Sequence, residues 1–304
     1  NNVVIQGLSK TITSSLDYLI DQIDLDLIKK ERKNALIQIS LNLIEQEVVF
    51  KPSISYDHGK GLKDLMDSWI GSFFHISTLF KRLDNDGSYM REMHNDGDVM
   101  IRLAMIHDLL AQTDDECESL KSSYEEYNHL WTLDMKETFD TFLEEALIET
   151  EHGQKIPDLA KFDQEMVKYE EVLETIRKLP NPVQVGWLKI DTLPIKQKMM
   201  NWVLQWKQCF VSHLKTTLFD HLSTLNTFMK KVLHGLDLDV VEQMEQVSPS
   251  SSSDAIKQAK DGLMAVMGDI RDVRKSMDTT VELFEPFTDI IRLLKGHGID
   301  MNDL

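Results

Sequence analysis

Glycine and proline, the residues that most often interrupt regular secondary structure, are sparse in this chain. Its 304 residues include 13 glycines and 7 prolines, so turns are few and the stretches between them are long. Long stretches favour helices over the many short strands of a β-sandwich. Apolar residues recur at helical spacing from the start, as in the stripe formed by Leu8, Ile12, Leu16, Leu19 and Ile23. The sequence therefore predicts an all-α protein, an elongated array of antiparallel helical bundles.

Further helices are predicted between recognisable breaks. A second helix is expected over Leu25–Val49, because Pro52 disfavours helix in the residue before it. A third is expected over Leu62–Leu83, with an apolar stripe of Leu65, Trp69, Phe73, Ile76 and Phe80. Later helices are predicted over Val99–Ala111, Thr113–Glu151, Lys161–Lys178, Leu193–Leu233, Ala255–Ser276 and Thr279–Lys295, the last ended by Gly296 or Gly298.

Two of the breaks are candidate bending points. Pro180 and Pro182 stop the helical pattern, and the β-branched residues and tryptophan that follow predict a short extended segment over 183–190. A serine-rich run that contains Ser250 and Ser253 predicts a flexible linker. The predicted regions are therefore helical bundles over 1–178, the extended segment and a long tryptophan-bearing helix over 179–247, and the serine-rich loop with further helices over 248–304.

Charge and composition narrow the range of partners and compartments. The chain has 51 acidic and 33 basic residues, a net charge of −18, and such a surface repels phosphate backbones and anionic lipids. Nucleic acid is therefore not an expected partner. No apolar run approaches the roughly 20 residues that span a bilayer, so membrane insertion is not expected. The two cysteines, Cys117 and Cys209, favour a reducing compartment.

The charge is unevenly distributed along the chain. Residues 101–175 contain 20 acidic against 6 basic residues, whereas residues 176–235 contain 2 acidic against 9 basic residues. One interpretation is a set of solvated faces with some intramolecular pairing, and the other is a basic surface that docks an acidic partner. The candidate contact residues for such a partner are Lys189, Lys196, Lys198, Lys207 and Lys215.

Three of the five tryptophans lie in this basic stretch. Trp202 and Trp206 are four residues apart, on one face of the predicted long helix, and Trp187 lies in the extended segment before it. Tryptophans at this spacing pack into cores, and tryptophan-rich patches also anchor protein interfaces. The sequence leaves core packing and partner contact both open.

No motif for catalysis, cofactor binding or metal binding is complete in the sequence. Residues 57–60 lack the earlier glycine, and the Ser or Thr after the lysine, of a phosphate-binding loop. A calcium loop around 84–87 would place Arg82 at its first ligand position, and arginine does not bind calcium. Cys209 and His213 share a helix face but form only half of a zinc site. We therefore assign no catalytic, cofactor or metal residue.

Several stretches of the second half resemble the heavy chains of dynein. They are Gly186–Asp191, Pro194–Gln197, Asn226–Leu236, Leu263–Gly268, Asp272–Arg274 and Thr279–Lys295, with Trp202 and Trp206 on the long helix. In dynein heavy chains such features belong to the end of the tail, where it passes into the linker of the motor. The resemblance covers about 183–304, and Phe284–Lys295 is more similar to axonemal heavy chains, of the outer-arm type, than to cytoplasmic ones.

The resemblance implies a mechanical role within a much larger protein. A dynein heavy chain hydrolyses ATP with Mg²⁺ in a ring of AAA+ modules and walks on microtubules, and this chain carries none of those motifs. The implied role is to hold the heads in position and to carry force. The implied partners are other dynein heavy chains, intermediate and light chains, and docking proteins on doublet microtubules. The implied location is the cytoplasm and cytoskeleton, in the axoneme of a cilium or flagellum.

Two other classes of protein are compatible with the residues. A free-standing helical scaffold or tethering protein also needs no active site, and it differs in having no linker and AAA+ modules after Leu304. An enzyme with an unrecognised helical active site is the third possibility. Nucleotide hydrolysis by the chain alone would reveal that enzyme.

Overall fold

A computed structural model of the chain describes residues 1–24, 26–28, 34–82, 87–149, 155–235 and 287–300, together with isolated positions between 260 and 274. Within these residues helices predominate, and the strands form a four-stranded sheet and a two-stranded hairpin. The prediction of a mainly helical protein with an extended segment near 183–190 is confirmed. Short strands also occur outside that segment.

The elements follow one another along the chain in a simple order. The helices are α1 (Asn2–Ile23), α2 (Leu62–His75), α3 (Met90–His94), α4 (Gly97–Glu125), α5 (His129–Thr132), α6 (Met135–Ala146), α7 (Leu159–Lys178), α8 (Leu193–Gly235) and α9 (287–296). The strands are β1 (Ile37–Ile44), β2 (Glu47–Lys51), β3 (Leu147–Glu149), β4 (Lys155–Pro157), β5 (Val183–Val185) and β6 (Leu188–Asp191).

Helix α1 buries the stripe that its sequence predicts. The buried residues of this helix are Leu8, Ile12, Leu16, Leu19 and Ile23. Helix α1 packs against α4, and the guanidinium Nε of Arg102 on α4 donates to Asp17 on α1 over 2.7 Å. The spacing of the stripe is sufficient to predict the buried face, because one turn of helix returns every three or four residues to the same side.

Four strands form a sheet in the order β2-β1-β6-β5. Strands β1 and β2 form an antiparallel hairpin whose turn holds Glu45 at φ 55°, and β5 and β6 form another around Gly186 at φ 53°. Strands β1 and β6 run parallel, with Ile37 opposite Leu188. The helix predicted over Leu25–Val49 is therefore wrong from residue 37 onward.

The sequence of β1 does carry the pattern of a strand. Apolar and polar residues alternate from Ile37 to Leu43, and the side chains of Ile39, Leu41 and Leu43 are buried. Such alternation places one set of side chains on one face of a sheet. The helical interpretation was available because apolar residues also recur three to four positions apart here. The strand prevails because β6, far along the chain, supplies a hydrogen-bonding partner.

The third predicted helix ends earlier than expected and buries a neighbouring face. Helix α2 ends at His75, and a short 3-10 turn over Ile76–Thr78 follows it. The buried residues are Leu62, Met66, Ile70 and Phe74, whereas the predicted Leu65 and Phe80 are 39% and 49% exposed. The predicted stripe is wrong by one residue, because this segment is apolar on two adjacent faces. Packing against α1 decides between the two.

The acidic middle of the chain is divided differently from the prediction. Helix α4 begins after Asp96, whose side chain accepts from the backbone N–H groups of Asp98 and Val99, and it continues through the expected gap before Thr113. Instead of one helix over Thr113–Glu151, the chain forms the end of α4, then α5, α6 and β3. The break is fixed from outside, since the indole N–H of Trp131 on α5 donates to the carbonyl of Gln46 over 3.1 Å.

The long helices α7 and α8 agree with the predicted Lys161–Lys178 and Leu193–Leu233. Helix α9 covers residues 287–296 of the last predicted helix and is ended by Gly298 at φ 69°. The remaining predictions for the last sixty residues lie outside the described residues. They concern Ser250 and Ser253, nearly all of Ala255–Ser276, and residues 279–286.

The chain forms two compact units. Unit 1 consists of Asn1–Asp134 and Val172–Leu204, and unit 2 consists of Met135–Glu171 and Gln205–Leu304. Unit 1 holds the four-stranded sheet with α1 to α5. Unit 2 holds α6, the β3–β4 hairpin and α9, and helices α7 and α8 contribute residues to each unit. The three regions predicted from the sequence, 1–178, 179–247 and 248–304, are each continuous along the chain, whereas each unit combines two separate segments. The three regions stay a prediction.

Candidate functional site

The tryptophan singled out in the extended segment is buried in unit 1. The β5–β6 hairpin places Trp187 against α4 with 1% of its surface exposed. Its indole N–H donates to the hydroxyl of Thr113 over 3.1 Å, and that hydroxyl donates to the carbonyl of Leu109 over 2.9 Å. A buried indole needs such a partner. Trp187 is therefore satisfied by the chain itself.

Lys196 lies in the first turn of α8 and is also buried, with 8% of its surface exposed. Its ammonium donates to the backbone carbonyl of Arg177 over 3.1 Å and to that of Leu179. The last carbonyls of a helix have no partner within the helix, and they carry the negative end of the helix dipole. Lys196 therefore caps the C-terminal end of α7 with a positive charge.

The predicted bending point at Pro180 and Pro182 is tied to the start of α8. The hydroxyl of Thr192 donates to the carbonyl of Pro180 over 2.8 Å. The backbone N–H of Thr192 donates to Asn181 Oδ1 over 2.8 Å. These bonds and the Lys196 cap fasten the connection to the helix that follows it. Bending at this point under load stays a prediction.

The remaining candidates of unit 1 lie nearer the surface. The ammonium of Lys198 donates to the carbonyl of Leu43 at the end of β1. Lys189 is exposed on β6, and Trp202 is half-buried on α8. The basic residues of this region therefore make backbone contacts within the unit as well as facing solvent.

In unit 2 the contact candidates join α8 to α7. Trp206 is 2% exposed and stacks on Tyr169, with ring centroids 6.0 Å apart and an angle of 8° between the planes. Burial raises the pKa of Tyr169 to about 12. Lys207 forms an ion pair with Glu170. Neighbouring residues on each helix thus supply one aromatic contact and one ionic contact.

Glu170 has a second partner, His297, which follows α9. Nδ1 of His297 lies 2.9 Å from Glu170 Oε1, and Nε2 lies 2.8 Å from Asp163 Oδ1. Burial opposes the ionisation of Glu170, but the hydrogen bonds from Lys207 and His297 outweigh it and lower the pKa of Glu170 from its ordinary value. The sequence offers no signal for this cluster, because its members lie 127 and 134 residues apart along the chain.

Cys209 and His213, the incomplete zinc site considered in the sequence, also lie in unit 2. His213 stacks on Phe162 with ring centroids 5.7 Å apart, and burial lowers the pKa of His213. Burial also raises the pKa of the Cys209 thiol. In the part of the chain that the structure describes, no group of three or more His, Cys, Asp or Glu side chains could hold a metal ion. Nor does any described helix combine the length and apolarity needed to cross a membrane.

These positions bear on the two interpretations of the basic stretch. Trp187, Trp206 and Lys196 are buried, while Lys198 and Lys207 are bonded to groups of this chain. The geometry favours packing and intramolecular pairing for these five residues. Contact of the stretch with a partner stays a prediction. Chemically, the arrangement fastens helices to one another and to a sheet.

Comparison with known proteins gives the same family over the whole chain. The chain is 30% identical to the dynein beta chain of the flagellar outer arm of Chlamydomonas reinhardtii, over all of its length. It is 26% identical over 99% of its length to dynein axonemal heavy chain 17 of Homo sapiens, and 25% identical over its full length to the ciliary dynein beta chain of Tripneustes gratilla. No protein-family model matches the chain.

The similarity extends well beyond the stretches that carried the resemblance, because it includes the first hundred residues. The chain spans about 7% of the length of each of these three relatives. Their names place them in axonemes, cilia and flagella, which confirms the predicted location in the axonemal cytoskeleton. The chain is therefore homologous along its whole length to one segment of the axonemal dynein heavy chains.

Proposed function

We propose that this chain is a structural segment of the tail of an axonemal dynein heavy chain of the outer-arm type, which transmits force and supports assembly. ATP hydrolysis, with its Mg²⁺, belongs in this proposal to an AAA+ ring outside these residues. The proposed partners are other dynein heavy chains, intermediate and light chains, and docking proteins on doublet microtubules. The similarity to an outer-arm beta chain along the full chain supports the outer-arm assignment.

The observation that carries the mechanical role is the length of α8. This helix runs for 43 residues without a break, which is roughly 65 Å at the rise of an α-helix. Isolated helices bend and fray, and most of the stability of a helix in a protein comes from packing of its apolar face. Along α8 the buried residues recur from Ile195 to Leu218. Packing therefore supports just over half of the helix.

The polar contacts of α8 strengthen this argument. Lys196 caps α7, Lys198 bonds to the end of β1, and Lys207 pairs with Glu170 on α7. A longitudinal load on α8 is thereby shared with neighbouring elements through several bonds that must break together. This arrangement suits a segment that carries force. It requires no reactive side chain.

The experiment interrupts α8 in the full-length heavy chain of a motile ciliated cell. Gln208→Pro at an exposed position of the helix removes a backbone hydrogen bond and kinks the helix. We expect ATP turnover by the extracted motor to stay within about twofold of wild type, because the AAA+ ring is intact. We expect the speed at which the motor glides microtubules under load to fall severalfold. Gln208→Ala, which keeps the helix, is the matched control.

Two outcomes would contradict the proposal. One is unchanged gliding under load in the proline variant when circular dichroism of the 304-residue chain shows that the helix is interrupted. The other is an equal loss of ATP turnover and gliding, which would indicate a catalytic role. Incorporation of the heavy chain into axonemes is scored by immunoblot, so that failure of assembly is separated from failure of force transmission.

A further inference from the structure

The side chain of His297 makes an arrangement that a neutral histidine cannot complete. Its two ring nitrogens lie 2.8 Å and 2.9 Å from carboxylate oxygens of Asp163 and Glu170, and the side chain is 7% exposed. An ionised carboxylate only accepts hydrogen bonds, and a neutral imidazole has one N–H donor. Both bonds therefore exist together only when the ring is a doubly protonated imidazolium.

The helix that carries His297 is anchored to the rest of unit 2 on one apolar face. Ile290 and Leu294 of α9 are buried in the core of the unit. The helix is closed by two hydrogen bonds typical of a left-handed glycine cap, from the N–H of Gly298 to the carbonyl of Lys295 and from the N–H of Ile299 to that of Leu294. The cap places His297 at the end of the helix, beside α7.

Among the described residues, charged groups around the imidazole come from three elements. Asp163 and Glu170 face it from α7, and Lys207 on α8 shares the Glu170 oxygen. Asp289 and Arg292 on α9 line a groove together with Asp163, Glu170 and His297. The side chains of Asp289 and Arg292 pair with each other over 2.6 Å. Glu170 therefore has a cation from α8 as a second partner, and protonation of the ring supplies a positive charge to both carboxylates.

We propose that His297 is a charge-dependent clasp that fastens α9 to α7. The imidazolium joins Asp163 and Glu170 at once. When the ring loses a proton, it keeps one donor and turns a lone pair toward the other carboxylate, so one bond is replaced by repulsion and α9 is held less firmly. The charge of the ring therefore decides how firmly α9 is held.

The consequence for a motor rests on the proposed function. Helix α9 lies in the stretch that resembles the start of the linker of dynein heavy chains. In such a protein the clasp would make the hold on that stretch firmer at acidic pH and looser at alkaline pH. The clasp itself is a property of unit 2 and is tested without any motor.

The test measures hydrogen exchange of the backbone amides of 287–296 in the 304-residue chain at pH 6 and pH 8, after correction for intrinsic rates. The carboxylates of Asp163 and Glu170 are 52% and 39% exposed, and ion pairs with such exposed partners contribute small free energies. We therefore expect the opening equilibrium of α9 to be about threefold to tenfold larger at pH 8 than at pH 6. His297→Gln removes this dependence, and Asp163→Asn reduces it. His107→Gln, at an exposed position of α4, keeps the wild-type dependence.

A second measurement keeps the proposal testable if His297→Gln fails to fold. Nitrogen-15 NMR of the wild-type chain reports whether each ring nitrogen of His297 is protonated. We expect both nitrogens to be protonated while α9 is held at pH 6, and one of them to lose its proton as α9 loosens. A single protonated nitrogen at pH 6, or an opening equilibrium of α9 that is equal at the two pH values, would overturn the clasp. Neither result would bear on force transmission through α8.

Discussion

The two compact units are stabilised by different kinds of contact. In unit 1, the parallel pairing of β1 with β6 joins distant parts of the chain through the backbone, and buried polar groups such as Lys196 and Thr192 satisfy the ends of elements. In unit 2, the core includes a cluster of rings in which Phe210 contacts Phe139, Phe142 and Phe162. Unit 1 combines an apolar core with hydrogen bonds at defined buried atoms, whereas the core of unit 2 is rich in aromatic rings.

This difference predicts which substitutions lower the stability of each unit most. A unit with buried hydrogen bonds loses stability when a donor is removed, because its buried acceptors are then left without partners and unsatisfied buried groups cost free energy. An aromatic core fails when volume is removed, because the neighbours cannot fill the space. Substitutions that separate these two causes therefore sharpen the comparison.

The largest expected effect is the removal of a ring from unit 2. Phe210→Ala deletes a side chain that is 3% exposed. The centroid of its ring lies 5.1 Å from those of Phe139 and Phe142, in edge-to-face arrangements. We expect the free energy of unfolding of unit 2 to fall by about 3–5 kcal/mol. Denaturant unfolding, followed by hydrogen exchange of the backbone amides of unit 2, measures it. Phe219→Ala, at a half-exposed position of the same helix, is the control, and an equal loss there would refute the packing argument.

The cysteines provide one reporter in each unit. Burial is the main cause that raises the pKa of the Cys117 thiol to about 12, so at pH 8 its reactive thiolate is scarce. We expect iodoacetamide to modify folded Cys117 about a thousandfold more slowly than a free thiol, equivalent to about 4 kcal/mol. Mass spectrometry of each cysteine peptide measures the rates. Half-buried Cys209 should react between the two, and faster modification of Cys117 than of Cys209 would contradict the burial of Cys117.

A polar tie in unit 1 is tested by Lys196→Met. The change keeps the length and apolar stem of the side chain but removes the donor to the carbonyls of Arg177 and Leu179. We expect the free energy of unfolding of unit 1 to fall by about 2–3 kcal/mol, since hydrogen bonds from charged groups are stronger than neutral ones. Urea unfolding of this variant is compared with that of Lys189→Met, which replaces an exposed lysine of β6. We expect Lys189→Met to change the free energy of unfolding by at most about 0.5 kcal/mol. Equal midpoints for the two variants would disprove the tie.

The smallest expected effect is the pH dependence that Glu170 gives to unit 2. The folded-state pKa of Glu170 is lowered from its ordinary value of 4.5. Its contribution to stability is therefore present above that value and is lost as the pH falls through the lowered one. The effect is modest, because the carboxylate is partly exposed. Unfolding midpoints at pH 7 and pH 3 should converge for wild type and Glu170→Gln at the lower pH.

Glu165→Gln is the control for that experiment, since Glu165 pairs with Lys168 at the surface of the same helix. We expect its unfolding midpoint to stay near that of wild type at each pH. A pH-independent difference between wild type and Glu170→Gln would show that Glu170 acts through its shape and not its charge.

Parts of the fold were predictable from single stretches of sequence, and the reason is visible in α1 and α8. The apolar residues of α1 recur at a spacing that fits one helix face, and the prolines and glycines beside α8 mark where it begins. The hairpin of β1 and β2 was missed although its residues alternate, because a pattern of seven residues also admits helical spacing. The decision depends on β6, which no local pattern identifies as the partner.

The candidate site was predictable in composition and not in arrangement. The basic and tryptophan-rich character of 176–235 is plain in the sequence, and so is the resemblance to dynein heavy chains. The bonds made by Lys196, Lys198 and Lys207 are not, because their acceptors are carbonyls and a carboxylate on other elements. The cluster of His297 with Asp163 and Glu170 was missed altogether for the same reason.

The sequence by itself determined the mainly helical class, the buried face of α1, the extents of α7 and α8, and the resemblance to dynein heavy chains. These follow from spacing, from turn residues and from matching stretches, which are all local properties of the chain. Only the tertiary structure decided that β1 is a strand, which face of α2 is buried, and which acceptor each of the described buried donors bonds to. Such choices are made by contacts between residues far apart in sequence, where free energy depends on which partner is within reach.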